Sequence, residues 1–383
     1  MPRLNPLLES LSTYPIVELE RRKAAAIEAG IRVFDFGTGD PSDPTPEFIR
    51  QSLLRAVTPR CPYPKVSGRP PIRRAIADYL ERRFGVTVDP DTQIIPTAGS
   101  KEAVFHAPLL VIDPAAEDRL VAFPDPGYPA YQRGVLFCGG EPYPVILDGT
   151  DHVFRPWLLP EDVLRKTRMI WINNPHNPSG AIASLDELRR CVEVCQKYDI
   201  LLMSDETYAD IYQEERPHSV LEAGMKNVVA LHSLSKRSGM TGYRSGFLAG
   251  DPEMIGRLKG LRANPGLVPQ DFVNAAAIAA WGDDTHVARR REVFQQKKEL
   301  FTAFFSEVGI ELVGSQATIY LWLKVPDGVS DEEYCHKLLE HGIVLCPGRM
   351  FGVAGGGVGY ARLALVPSME ECAEAVEVWR ALC

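Results

Sequence analysis

The stretch LHSLSKRSGMTGYRSGF, residues 231–247, sets Lys236 in a Ser-rich turn just after the apolar run Val228–Leu231, with Arg244 eight residues on. A lysine amine is a nucleophile once it loses its proton, and a neighbouring cation or partial desolvation favours that loss. Other short apolar runs end in similar chemistry. RLVAF (119–123) leads into PDPGYPAY, RMIWI (168–172) into NNPHNPSG, and ILLMS (200–204) into DETYAD. Asn177, Asp205, Tyr208 and Lys236 therefore all fall at the ends of candidate strands. Turn and cap roles would account for each singly, but they do not predict that the four converge on one edge.

The chemistry that unites a lysine, an aspartate, an asparagine, a tyrosine and an arginine is that of pyridoxal phosphate. Its aldehyde condenses with a lysine, and its ring nitrogen needs a carboxylate to stay protonated. Its phosphate suits an arginine fork, serine hydroxyls and backbone amides. Competing readings lack their residues. No G-x-G-x-x-G opens a helix after a first strand, and no G-x-x-x-x-G-K-[ST] occurs. The eight cysteines form no C-x-x-C pair and no zinc-spaced cluster with histidine, so no metal is expected.

The elements that must position these residues follow from hydrophobic pattern. The runs near 119, 168, 200, 227 and 245 are too short for typical helices and rich in Val, Ile and Leu, as buried strands are. Between them, SLDELRRCVEVCQKY (184–198) has helical spacing, a capping box of Ser184 and Glu187, and Cys191 and Cys195 as small core residues. Strands alternating with helices predict an α/β fold with a mostly parallel, doubly wound sheet. Beyond ANPGLVPQ (263–270), a candidate junction, the pattern changes. A long charged helix (287–308), a strand (318–325), a helix (330–342), a strand (360–366) and a last helix suggest a smaller α+β domain.

At 383 residues, 45% apolar and 24% charged, the chain can bury the cores of two or so domains. Lys plus Arg number 42 against 50 Asp plus Glu, a net charge of −8, which argues against nucleic acid or an anionic membrane as the main partner. The N-terminal residues lack an uninterrupted apolar signal core, and no run reaches the ~18 residues of a membrane span. The expectation is a cytoplasmic protein with reduced thiols.

In order along the chain, FGTGDPSDPTPEFI, YPKVSGRPPIRRAIADYL, PTAGSKEA, PGYPAY, NNPHNPSG, SDETYADI, SLSKRSGMTGYRSG and ARLAL resemble the motifs of class I/II aminotransferases of fold type I, across nearly the whole length. The resemblance implies a large pyridoxal-phosphate domain over 45–270. It implies a small domain over 271–383, completed by an N-terminal arm over 1–44. It makes Lys236 the lysine that binds the aldehyde and moves the α-proton. Asp205 becomes the partner of the ring nitrogen, Asn177 and Tyr208 those of the phenolic oxygen, and Tyr128 the ring that stacks on the cofactor. Gly99, Ser100, Lys101, Ser233 and Arg244, with Ser235 in support, would hold the phosphate. Tyr63 would reach the phosphate of a neighbouring subunit, which requires a homodimer. Arg362 would clamp the substrate α-carboxylate, with Gly39 and Asn177 beside it.

Glycines at 239 and 242 are expected to let the backbone turn tightly, and the glycine-rich segment 348–360 to close over the substrate. His176 and His232 are expected to support the site structurally. The family pattern favours transamination over the lyase chemistry that the same residues allow. Its diaminopimelate-pathway branch is the most similar, with N-succinyl-LL-diaminopimelate and glutamate the expected pair and LL-diaminopimelate or aspartate the alternatives. Lys65, Arg69 and Arg262 are the candidates for a distal carboxylate.

Overall fold

The computed structural model describes residues 2–10, 15–147 and 151–383. Its strands are β1 (Phe34–Asp35), β2 (Ile94–Thr97), β3 (Leu120–Asp125), β4 (Glu141–Ile146), β5 (Thr167–Asn173), β6 (Leu201–Asp205), β7 (Val228–Ser233), β8 (Gly246–Gly250), β9 (Tyr320–Lys324), β10 (Ile343–Val344), β11 (Cys346–Pro347) and β12 (Tyr360–Ala364). The five runs read as buried strands in the large part become β3, β5, β6, β7 and β8. Side chains alternate across the sheet, and helices cover both faces. Met169 and Trp171 of β5 join the core on one face, while Ile170 and Ile172 join that on the other.

The large sheet has the order β2-β8-β7-β6-β5-β3-β4. Every neighbouring pair is parallel except those made by β8, which is antiparallel to both β2 and β7. Strand β4 escaped the sequence reading because Pro142 and Pro144 interrupt it. Proline cannot donate to a ladder, so it is tolerated at an edge, and β4 pairs with β3 alone among the described residues. Cys191 and Cys195 are buried, as expected.

The C-terminal part is α+β. Strands β11, β12 and β9 form a small antiparallel sheet, and β1 pairs in parallel with β10. Phe34 and Phe36 from the N-terminal arm pack there with Phe301, Phe304 and Phe305 of the helix Thr285–Val308. The helix Asp271–Trp281 behaves differently from its expected assignment. Its Ala276, Ala277, Ala280 and Trp281 are buried in the core of the large part. Its five alanines let it lie close against the helices Glu47–Ala56 and Pro70–Phe84. We therefore draw the division after Trp281 rather than at residue 270. No helix among the described residues is long and apolar enough to cross a membrane.

The capping box at the helix Leu185–Lys197 is present in full. The Glu187 amide donates to Ser184 Oγ at 3.3 Å, and the Ser184 amide donates to Glu187 Oε2 at 2.9 Å. Ser184→Ala should cost about 1 kcal/mol of stability in chemical denaturation, with the m-value unchanged.

Candidate active site

The pairing of the strands explains why the chemistry gathers at one edge. Asn173 at the end of β5 pairs with Asp205 at the end of β6. Antiparallel β8 begins where its neighbours finish, so Gly246 sits opposite Ser233 and Thr97 at the ends of β7 and β2. The loops that follow β2, β5, β6 and β7, and the one that precedes β8, therefore open on the same rim. A cavity of about 350 Å³ lies there. Gly39, Ser100, Lys101, Tyr128, Asn177, Asp205, Tyr208, Lys236, Arg244 and Arg362 all line it.

Lys236 rides on the short helix Leu234–Arg237, capped by Ser233. Its amine donates to the carbonyl of Gly39, the glycine expected beside the substrate carboxylate. Burial lowers the amine to about 8; Asp40 opposes the shift, and Arg362, Arg244 and Arg290 reinforce it. Of the two expected causes, desolvation is the larger and Arg244 the smaller. The neighbouring Arg237 anchors this helix from behind. It donates to Asp210 Oδ2 at 2.7 Å, to the Ala280 carbonyl at 2.6 Å and to Asp284 Oδ1 at 2.7 Å. Burial alone would raise the Asp210 carboxyl, but Arg237 and Arg83 hold it well below the usual carboxylate range.

Asp205 is buried, and among the described residues its side chain meets only neutral donors: Thr207 Oγ1 at 2.7 Å, the Thr207 amide at 3.2 Å and Tyr131 Oη at 3.1 Å. Burial pushes its carboxyl up, and those hydrogen bonds work against the shift. Arg362 is the complement. It is buried, and its donors reach Asn177 Oδ1 at 3.2 Å and the Gly37 carbonyl at 3.0 Å. The ring centroids of Tyr320 and Phe351 lie 4.1 and 4.3 Å from its guanidinium, and its Nε has no hydrogen-bond partner among the described residues. No carboxylate pairs with it among the described residues. A buried anion, a buried cation and a softened amine on one cavity call for a ligand with a cationic ring atom, an electrophilic carbon and an anionic substrate. The residues fit pyridoxal phosphate.

Several expectations are redrawn. Ser233 does not line the cavity; its hydroxyl turns to Ser235 Oγ at 3.1 Å, and Ser235 is the serine on the wall. Tyr208 Oη shares a hydrogen bond with Tyr320 Oη at 2.9 Å. Gly239 has a left-handed φ of 62°, but the other left-handed residue of this turn is Arg244 itself at 52°, and Gly242 faces open space. Gly99 has a φ of 80°, which L side chains rarely adopt, and a Cβ there would also displace the Arg244 guanidinium. Tyr63 is 99% exposed and contributes nothing to the cavity of its own chain. Arg262 forks onto Glu102 at 2.6 and 2.7 Å, Arg69 pairs with Asp271 at 2.8 Å, and Lys65 is exposed. None of these three lines the cavity. His176 is spent on Ser179 Oγ at 2.8 Å and the Pro126 carbonyl at 3.0 Å, and His232 lies beside Glu206, so both are structural.

Tyr131, Thr207, Arg237 and Tyr320 were not singled out from sequence. Three of them stand inside motifs already noted, PGYPAY, DETYAD and SLSKRSG, one to three residues from an assigned position. Tyr320 carries no such signal, since it arrives from β9 in the other part of the molecule.

In the cofactor-free chain, competitive acylation of Lys236 read by mass spectrometry should show a midpoint near pH 8 rather than 10.5. Between those values the unfolded chain holds a proton that the folded chain has lost. Stability relative to Lys236→Met should therefore rise with pH across that window.

Comparison with known proteins agrees with this geometry. Residues 31–378 match the family described as Aminotransferase class I and II. The LL-diaminopimelate aminotransferase of Aquifex aeolicus (strain VF5) is 38% identical over 379 residues, 97% of this chain and 96% of that one. The crystal structure of an aminotransferase from Neisseria meningitidis Z2491 superposes with a TM-score of 0.89 at 31% identity, covering 99% of this chain and 100% of that one. The probable N-succinyldiaminopimelate aminotransferase from Thermus thermophilus gives 0.88 at 28% identity, covering 96% and 100%. The chain belongs to the class I and II aminotransferases, fold-type I enzymes that use pyridoxal phosphate to move an amino group between an amino acid and a 2-oxo acid.

Proposed function

We propose that this aminotransferase acts on diaminopimelate in lysine biosynthesis, with LL-diaminopimelate and 2-oxoglutarate as its exchange pair. The observation that carries the reading of the cavity is the unpaired Arg362 guanidinium on the same wall as Lys236 and Asp205. The Aquifex relative supports the substrate. The Thermus neighbour supports a second reading, N-succinyl-LL-diaminopimelate with glutamate.

Pyridoxal phosphate, when bound, supplies a carbonyl carbon for the substrate amine and a protonated ring that draws electrons from the α-carbon. Lys236 anchors that carbonyl carbon and, once free, takes the proton from the substrate α-carbon. An amine near 8 holds a useful fraction of free base at neutral pH. Asp205 keeps the ring nitrogen protonated, with Tyr131 and Thr207 fixing its carboxylate. Asn177 and Tyr208 serve the phenolic oxygen, and Tyr128 stacks on the ring. Ser100, Lys101, Ser235 and Arg244, with the Gly99 backbone, hold the phosphate, and Ser233 caps the helix beneath them. Arg362 forks onto the α-carboxylate and, with Gly39 and Asn177, orients the α-carbon.

We place Tyr63 in the active site of a second subunit. Its full exposure supports this, as do the exposed apolar side chains Phe48, Leu54 and Val57 on the segment leading to it. A homodimer would cover them and complete both sites.

Three measurements test the reading. Lys236→Ala should lower turnover by about 10³-fold or more while the chain stays folded. Arg362→Ala should raise KM and lower kcat together, because a misplaced α-carbon affects binding and reaction alike; an unchanged KM would move the carboxylate site elsewhere. Rates with LL-diaminopimelate and with its N-succinyl derivative, each against 2-oxoglutarate, then separate the two substrates. A clear preference for the succinylated compound would replace the first reading by the second.

A further inference from the structure

The glycine-rich connector between β11 and β12 is held by a carboxylate from the opposite part of the molecule. Asp125 closes β3 and is buried. Its Oδ1 accepts from the Val353 amide at 2.9 Å, and its Oδ2 accepts from the Ala354 and Gly356 amides at 2.8 and 3.2 Å. Beside it, the Gly127 amide donates to the Phe351 carbonyl at 2.8 Å. No cationic side chain pairs with Asp125 among the described residues, so its side-chain hydrogen bonds come from one loop. The approach is close enough to demand glycine at 356, where a Cβ would overlap the Asp125 carbonyl and the Pro126 nitrogen.

The near end of that loop carries Met350 and Phe351, both on the wall of the active-site cavity. Phe351 also lies against the Arg362 guanidinium, 4.3 Å from its ring centroid. Asp125 itself does not line the cavity. Three amides converging on one side chain need two acceptor oxygens; an asparagine offers one, and an alanine none.

We propose that Asp125 is a positioning residue: by binding the amides of 353, 354 and 356 it fixes Phe351 and Met350 as the wall at the substrate end of the cavity. The segment expected to be mobile is thereby tied across the cleft. This inference rests on the cavity being the substrate site, but its central contact can be tested without activity.

In the holoenzyme, Asp125→Ala should raise KM for both the amino donor and the 2-oxo acid about tenfold or more, with kcat within about threefold of wild type. Asp125→Asn should fall between the two. The absorption of bound pyridoxal phosphate should not change in either variant. A merely structural loss would lower kcat and thermal stability without that split. KM values within twofold of wild type in both variants, or a loss confined to kcat, would overturn the proposal. If Asp125→Ala does not fold, Asp125→Asn and the wild-type chain decide. Hydrogen exchange of wild-type peptides spanning 352–358 should show protected amides at 353, 354 and 356, exchanging faster in Asp125→Asn. Exchange within seconds in the wild type would also overturn it. Protection that persists in an active Lys236→Ala chain would leave the contact standing and remove the catalytic reading instead.

Discussion

The site depends on one pairing in the sheet, that of Ser233 at the end of β7 with Gly246 at the start of antiparallel β8. It pins both ends of the segment that holds Lys236 and Arg244. With its ends fixed, the segment must form its short helix and left-handed turn over the rim of the sheet. Arg237 then locks the helix from beneath through the buried Asp210, which Arg83 and Tyr79 also hold. Removing one partner from such a buried ionic set costs about 3–5 kcal/mol, because it strands a charge. The lysine is therefore placed by a network that never touches a substrate.

The rim supplies the amine of Lys236, the anion of Asp205 and the guanidinium of Arg244. The second arginine comes from elsewhere: Arg362 sits on β12 of the small sheet, and Tyr320, which shares a hydrogen bond with Tyr208, sits on β9 beside it. The helix Thr285–Val308 joins the two halves. Its N-terminal His286 bonds Ser238 at 2.9 Å, close to Lys236, while its later phenylalanines are buried in the small core. The site is thus assembled across a cleft, with Asp205 at the end of β6 in the large sheet and Arg362 on β12 of the small one, both buried. Each charge is left with neutral partners, which is costly unless a ligand supplies the opposite sign. That is the physical reason such residues mark a binding site rather than a stable core.

The roles of neighbouring groups differ in kind. Tyr131 and Thr207 act on Asp205 by hydrogen bonding, and Cys346 and Gly37 flank Arg362 without adding charge. The Gly99 backbone gives Arg244 room by having no side chain at all. None of these would stand out by residue type, because threonine, glycine and cysteine do similar things throughout any fold.

The amino-acid sequence by itself determined the strand runs, their order along the chain and the residues at their ends. Short apolar segments and polar turns are local properties, so Asp205, Asn177 and Lys236 were legible as a set. Family motifs extended that to Arg362 and Tyr128. Tertiary structure alone decided what depended on distance through space. It set β4 at the edge despite two prolines, and it packed the helix Asp271–Trp281 into the large core. It also turned Ser235 rather than Ser233 to the cavity and spent Arg69 and Arg262 on ion pairs that do not line it. Whether an arginine is paired or free is not written in its neighbours along the chain. It follows from which carboxylate folding brings within hydrogen-bond reach, and from how much water the surrounding atoms exclude.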